Sequence, residues 1–71
     1  MAEKVLAPLS GKVLSVAVGV GDRVEEDEEV LVLEAMKMET PVHAPVEGRV
    51  TAVHVNVGDT VEEDDPLATI E

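Results

Sequence analysis

Lys37 is the residue of this 71-residue chain best suited to chemistry with another molecule. It lies between two methionines in the run Glu34-Ala35-Met36-Lys37-Met38-Glu39, midway along the chain. A lysine amine is a nucleophile only without its proton, so this residue is useful mainly where another active site removes that proton. Methionine is a poor choice for an exposed turn but a good adaptable contact surface. The run therefore predicts a lysine that a second protein recognises; an ordinary surface lysine is the alternative.

The remaining polar residues give no second centre of chemistry. His43 and His54 each stand alone between apolar neighbours without ligand spacing, which predicts surface histidines and no metal site. Segments 25–29 and 62–65 are rich in carboxylates but lack the residue order of a calcium loop. Nothing predicts a pocket that would raise a carboxyl pKa for acid–base catalysis. With no cysteine in the chain, thiolate chemistry is excluded, and we expect a protein that is not by itself an enzyme.

Composition and charge limit the class of protein. The formal net charge of −11 argues against a nucleic-acid or anionic-membrane partner, because such binding needs Lys and Arg. Self-repulsion would keep a small protein monomeric; adaptation to high salt is the other interpretation of this charge. No apolar run approaches the roughly 20 residues that cross a bilayer, and the N-terminus lacks the layout of a signal peptide. We expect a small, monomeric, cytoplasmic domain without direct membrane insertion.

An internal repeat organises the chain, because segment 7–34 recurs as segment 44–71 at one constant offset. Only two copies exist, whereas a solenoid needs about three or more. Each copy is too short to fold alone, so we expect one domain, residues 1–71, with pseudo-two-fold symmetry. The recurring motifs are Ala7-Pro8 and Ala44-Pro45, Gly11 and Gly48, Gly21-Asp22 and Gly58-Asp59, and the runs 24–27 and 61–64.

The pattern within each copy is that of β-strands. Val16, Val18 and Val20 alternate with small residues, which favours an extended strand, and the second copy repeats the pattern. Val13 and its counterpart Val50 are out of phase with these valines, so we expect a β-bulge in each half. The apolar run 30–33 indicates a strand shielded on both sides.

Short spacers between the expected strands decide the architecture. They leave no room for parallel crossovers, so the strands must pair antiparallel, about four in each copy. The best architecture is all-β: two antiparallel sheets that form a sandwich or a flattened barrel. Strands over residues 30–34 and 40–43 then flank residues 35–39. Lys37 is expected at or near a hairpin tip, on the symmetry axis.

The run around Lys37 resembles the attachment sequence of biotinyl domains, the biotin carboxyl carrier modules of biotin-dependent carboxylases, decarboxylases and transcarboxylases. A short motif alone is weak, but here it stands inside a matching two-fold frame. The resemblance implies a flattened antiparallel β-barrel of two four-stranded sheets, with the modified lysine on a protruding hairpin. It covers essentially the whole chain, through Ala7-Pro8 with Gly11, Val20-Gly21-Asp22 with Val24, and Ala44-Pro45 with Gly48.

The resemblance also implies a cofactor and partners. A biotin protein ligase would join biotin to Lys37 through an amide. The biotin would then carry carboxyl groups between a biotin carboxylase or decarboxylase and a carboxyltransferase. Glu34 would help to exclude lipoate ligases, and Met36 and Met38 would position the lysine. The residues implied in recognition by the ligase and the partner enzymes are Glu34, Ala35, Met36, Met38 and Glu39.

Two alternatives and several departures from the family pattern accompany this interpretation. Lipoyl domains share the fold, but their lysine typically follows an aspartate and precedes an alanine; an unmodified β interaction module is the other alternative. Many carriers have glycine where Asp27 and Asp64 stand, so we expect these aspartates to adopt left-handed backbone. The chain also lacks the inserted "thumb" of some acetyl-CoA carboxylase carriers and an Ala/Pro-rich tether before residue 5. Both a stand-alone carrier and a domain of a longer subunit stay open.

Overall fold

The computed structural model describes residues 2–71, and these residues form β-strands and turns without a helix. Valine and other β-branched residues, which fit a pleated sheet better than a helix, supply most of the strand interiors. The all-β prediction is confirmed. The strands are β1 Glu3–Leu6, β2 Gly11–Val16, β3 Arg23–Val24, β4 Glu29–Ala35, β5 Met38–His43, β6 Gly48–Val53, β7 Thr60–Val61 and β8 Pro66–Ile70.

The strands form two four-stranded sheets, with the orders β1-β8-β6-β3 and β5-β4-β2-β7. Every pairing is antiparallel. When each strand is replaced by its counterpart in the other half of the chain, β1 by β5 and so on, the first sheet order becomes the second. The expected pseudo-two-fold arrangement is therefore confirmed at the level of strand order. Each sheet mixes strands from both halves, so neither half completes a sheet alone.

The core between the sheets obeys the same symmetry. Its 14 buried apolar residues fall into pairs at the repeat offset, and among residues 2–71 no polar side chain is buried with them. Each buried position in one half thus has a buried counterpart, which makes the two halves complementary. The pairs are Val5 and Val42, Ala7 and Ala44, Val13 and Val50, Val24 and Val61, Val30 and Leu67, Leu31 and Ala68, and Leu33 and Ile70.

Irregularities in strand pairing change which residues face the core. The register between β2 and β4 shifts between Val13 and Ser15, and that between β6 and β8 shifts at the equivalent place, so the predicted bulges are confirmed. A further shift, between Glu29 and Leu31, was not predicted. It buries the consecutive residues Val30 and Leu31. Val32 beyond them is only half-buried, so the expectation of a strand shielded on both sides is wrong.

The strands that carry the alternating valines are shorter than the pattern predicts. β2 ends at Val16, although the Ala17 N–H still donates to the Val30 carbonyl at 2.8 Å. The Gly19 N–H then donates to the Asp22 carboxylate at 2.8 Å, which starts a turn. Val20, expected in the strand, lies in this turn with 69% of its surface exposed. The alternation of valines with small residues therefore extends past the end of β2 into a turn, so it predicted too long a strand.

Candidate functional site

The hairpin that carries Lys37 joins β4 to β5 by a two-residue turn. Ala35 and Met38 are the last paired residues, which leaves Met36 and Lys37 as the turn itself. Their φ angles are 53° and 66°. Positive φ at both central residues is the pattern of a type I′ turn, whose twist matches that of the flanking strands. Lys37 therefore lies at the hairpin tip, where the sequence placed it.

The backbone of this turn is unfavourable for the residues that form it. Type I′ turns usually contain Asn-Gly, because left-handed backbone costs other residues roughly 1–2 kcal/mol each. Met36 and Lys37 adopt this left-handed backbone because the strands on both sides of the turn are firmly paired. Leu33, for example, pairs with Thr40 across the strands, and its side chain is buried in the core. Local preference is thus overridden at this place, as is common at functional sites.

The end of the hairpin has two chemically different faces, because side chains alternate along each strand. Ala35 and Met38 continue the inward rows that contain the buried residues Leu33 and Val42. The opposite face carries Glu34 and Glu39, which are exposed and are directly paired across the strands. We call Glu34 and Glu39 the acidic pair. The end of the hairpin is thus apolar on one side, and its other side carries the acidic pair, with Lys12 of β2 opposite Glu34.

Exposure distinguishes the two methionines from the rest of the apolar residues. Met36 is 95% exposed and Met38 is 69% exposed. Lys37 between them is also exposed. The core ends before the turn, at Leu33 and Val42, so among residues 2–71 little covers Met38 and almost nothing covers Met36. Two large apolar side chains exposed to water beside a lysine are unusual on the surface of a small domain, and exposed apolar groups of this kind are typical of contact surfaces.

Gly11 supports the base of the hairpin, a role that the sequence interpretation missed. A Cβ atom on Gly11 would lie 2.6 Å from the carbonyl oxygen of Glu34 and 3.4 Å from the Cβ atom of Ala35. Only glycine allows β2 to approach β4 this closely. Gly48 makes the equivalent approach to Glu71, where a Cβ atom would lie 2.5 Å from the carbonyl oxygen. The recurrence of this glycine in both copies was the available signal.

The other candidate residues lie away from the lysine. His43 is exposed at the far end of β5, opposite Glu29, and the exposed His54 has its Nε2 atom 2.9 Å from the Thr69 hydroxyl. Both are surface histidines, as predicted. Within residues 2–71 no group of three or more His, Asp or Glu side chains could hold a metal ion.

The carboxylate-rich segments 25–29 and 62–65 each contain a turn with an aspartate in left-handed backbone, as expected. Asp27 and Asp64 have φ angles of 69° and 70°, so the expected left-handed conformation is confirmed. In each turn the aspartate N–H donates to the carbonyl of a core alanine at 2.8 Å, Ala44 for Asp27 and Ala7 for Asp64. These turns therefore fasten the loops of one half to the other half.

The described residues contain no pocket and no helix long and apolar enough to cross a membrane. The site therefore consists of an exposed amine on a well-held hairpin between adaptable apolar side chains. A group linked to this amine by an amide would meet no obstruction at the tip. Such an arrangement is compatible with a carrier domain, in which a lysine is modified by another protein.

Comparison with known proteins identifies the kind of carrier. The family model described as "Biotin-requiring enzyme" matches residues 3–70, and the chain belongs to this family. It is 54% identical over 41 residues to the methylmalonyl-CoA decarboxylase subunit gamma of Veillonella parvula, a match that covers 58% of this chain and 32% of the relative. It is 50% identical over 36 residues to the biotin carboxyl carrier protein of Streptococcus mutans, covering 51% of this chain and 28% of the relative.

A solved structure agrees with these sequence matches. The urea carboxylase of Kluyveromyces lactis superposes on the whole chain with a TM-score of 0.93 and 35% sequence identity, and the match covers 6% of that much longer protein. The predicted fold and family are confirmed. The chain is a biotin carboxyl carrier domain with biotin as its covalent group, and the lipoyl alternative is not favoured. The matched segments span about a third or less of the curated relatives above.

Proposed function

We propose that Lys37 is the residue to which biotin is attached. The single observation that carries this proposal is its place at the tip of a type I′ hairpin, exposed between Met36 and Met38. A biotin protein ligase activates the biotin carboxyl group as an adenylate. The neutral Nζ atom of Lys37 attacks that carbonyl carbon, the bond to AMP breaks, and the amine loses a proton as the amide forms.

The attached biotin carries a carboxyl group between active sites on other proteins. One site, a biotin carboxylase or a decarboxylase, loads it, and a carboxyltransferase unloads or exchanges it. The carrier contributes reach and a high effective concentration of biotin at each site. It supplies no catalytic group, so the chain is not itself an enzyme. The relatives named as a decarboxylase subunit and as a carboxyl carrier protein support these partners.

The two faces of the hairpin tip contribute different contacts to recognition by partner proteins. Ala35, Met36 and Met38 give partner proteins an apolar surface, which adaptable methionines fit to more than one pocket. Glu34 and Glu39, the acidic pair, give the opposite face a charge that a basic ligase surface attracts. Because that face is charged, an enzyme that expects another pattern, such as a lipoate ligase, is disfavoured.

We propose further that residues 1–71 act as one biotinyl domain, monomeric in solution. The halves share both sheets and all pairs of core residues, so neither half would be stable without the other. The net charge of −11 opposes self-association. Because adenylation of biotin needs ATP, the location proposed is the cytoplasm. Size-exclusion chromatography with light scattering tests the monomer, and fractionation of cells that express the natural gene tests the location.

Intact-mass spectrometry of the chain after incubation with biotin protein ligase, ATP and biotin tests the attachment. We expect one biotin adduct on the wild type and none on Lys37→Arg. Lys12→Arg is the matched control, because Lys12 lies at the same end of the molecule, paired with Glu34, and its variant should still gain one adduct. An adduct that persists in Lys37→Arg would refute the assignment. A lipoyl adduct formed by a lipoate ligase under matched conditions would favour the rival carrier.

A further inference from the structure

The thioether sulfurs of Met36 and Met38 lie on both sides of the acceptor lysine and are open to solvent. The two side chains are 95% and 69% exposed. We infer that Met36 and Met38 are oxidation sites, at which hydrogen peroxide forms methionine sulfoxide and thereby blocks the modification of Lys37. The inference rests on the proposed attachment at Lys37.

The fold keeps these sulfurs accessible. Met36 occupies a turn position with left-handed backbone, and Met38 lies beyond the buried residues of its own strand. The inward row along β5 runs from Val42, which is buried, through Thr40, which is half-buried, to Met38. The core therefore ends before the turn, and the methionines cannot withdraw into it without unpairing the hairpin. Oxidation of an exposed methionine needs no opening of the protein.

The composition leaves Met36 and Met38 with few competing side chains that an oxidant could attack. The chain has no cysteine and no aromatic residue, so thioethers are its most readily oxidised side chains. It has three methionines, and the third, Met1, lies outside the described residues. The two methionines in the structure are thus both part of the surface that partners must contact.

The reaction transfers one oxygen atom. The sulfur lone pair attacks an oxygen of hydrogen peroxide, an S–O bond forms, and the O–O bond breaks. The sulfur is oxidised by two electrons and the peroxide is reduced to water. The product is polar and chiral where the thioether was apolar. Methionine sulfoxide reductases, one for each epimer, reverse the change.

The expected consequence is a loss of recognition by the ligase. A sulfoxide oxygen that enters an apolar pocket without a hydrogen-bond donor is poorly tolerated. We expect kcat/KM for biotinylation to fall by about tenfold or more, which corresponds to about 1.4 kcal/mol. The fold itself should be unaffected, because neither side chain contributes to the core.

The test begins with the chain before biotin is attached. It is treated with hydrogen peroxide and desalted, and the sulfoxides are located by peptide mass spectrometry. Initial rates of biotinylation are then measured by intact mass. Biotin contains a thioether of its own, so it is added only after the peroxide has been removed. We expect the rate to fall in proportion to sulfoxide at positions 36 and 38, and to recover after treatment with both methionine sulfoxide reductases.

The double variant Met36→Leu/Met38→Leu is the matched control, because leucine is apolar and resists oxidation. Its own untreated rate is the reference, and the ratio of treated to untreated rates should be close to one. The two single variants then assign the effect to one sulfur or the other. Met1 is retained in every variant, so its oxidation is common to all.

Two results would overturn the inference. One is an unchanged rate for a chain shown to carry both sulfoxides. The other is a rate loss that the double leucine variant shares, or that accompanies loss of the β-sheet circular dichroism signal. Failure of the proposed function is distinguishable, because the untreated wild-type chain would then gain no biotin at all.

Discussion

Replacement of Gly11 by alanine tests whether the close approach of β2 to β4 supports the functional hairpin. The new Cβ atom would lie 2.6 Å from the Glu34 carbonyl oxygen, whereas weak C–H···O contacts begin at about 3.3 Å. The strands must therefore separate by about 0.7 Å. Overpacking of this kind costs about 1–3 kcal/mol. Since 1 kcal/mol lowers Tm by about 4–8 °C in a domain of this size, we expect a fall of roughly 8–16 °C for a mid-range cost.

Far-UV circular dichroism measures this Tm, because the chain has no aromatic residue to report unfolding by fluorescence. Gly48→Ala repeats the clash in the other half, with a Cβ atom 2.5 Å from the Glu71 carbonyl oxygen. Its Tm should fall by at least as much. Gly19→Ala is the control for the substitution itself, because its nearest atom would be 3.9 Å away. That variant should stay within about 0.5 kcal/mol of the wild type.

The rate of biotinylation, measured well below each variant's Tm, separates support of the hairpin from general stability. Gly11 lies against β4 at Glu34 and Ala35, at the base of the hairpin, whereas Gly48 lies against Glu71 and Ile70 at a site equivalent by symmetry. We therefore expect Gly11→Ala to slow biotinylation more than Gly48→Ala. A Tm for Gly11→Ala within about 2 °C of the wild type would refute the steric argument, because its cost would then be under about 0.5 kcal/mol. Equal biotinylation rates in the two variants would refute the supporting role.

Three further predictions follow from backbone strain and charge. Asp27→Gly and Asp64→Gly should each raise Tm by a few degrees. Glycine removes the strain of the left-handed backbone, about 1–2 kcal/mol, which exceeds the about 0.4–1 kcal/mol by which its greater freedom stabilises the unfolded chain. Thermal unfolding measures both Tm values, and a lower Tm for both variants would contradict this. Met36→Asn should raise Tm, since asparagine suits a type I′ turn. It should also lower kcat/KM for biotinylation, because the ligase loses an apolar side chain to contact. A rise in both Tm and kcat/KM would disprove the idea that Met36 is kept for recognition at the expense of stability. Raising NaCl from about 10 mM to about 1 M should raise Tm, because salt screens the repulsion between the carboxylates of a chain with net charge −11. The Debye length falls from about 30 Å to about 3 Å, that is, from about the length of the molecule, 33 Å, to much less than it. An unchanged Tm would show that self-repulsion is negligible.

Much of the fold could be predicted because the repeat constrains it twice. Val13 and Val50 are out of phase with the following valines in both copies, so each bulge was visible as a break in alternation. The irregularity near Val30 was not visible, because a continuous apolar run has no alternation to break. Val20 was misplaced for the opposite reason. Its alternation persists into a turn that the Asp22 side chain helps to form.

The site was predictable in position but not in conformation. Expected strands on both sides of residues 35–39 were enough to place Lys37 near a hairpin tip. The type I′ turn was not predictable, because Met36-Lys37 lacks the Asn-Gly that usually indicates it. Nor was the role of Gly11, since the approach of its backbone to Glu34 depends on pairing between strands that are distant in sequence.

The symmetry of the core explains why the tip of the Lys37 hairpin is not needed to hold the fold together. Each buried residue has a buried counterpart in the other half, and every sheet draws on both halves, so the paired core alone accounts for the fold. Met36, Lys37 and Met38 add nothing to that core, and the backbone of the first two is strained. Selection for stability would replace them with Asn-Gly and polar neighbours. The proposed attachment of biotin to Lys37 accounts for their presence, and the exposure that this role requires would also leave the sulfurs of Met36 and Met38 open to oxidants.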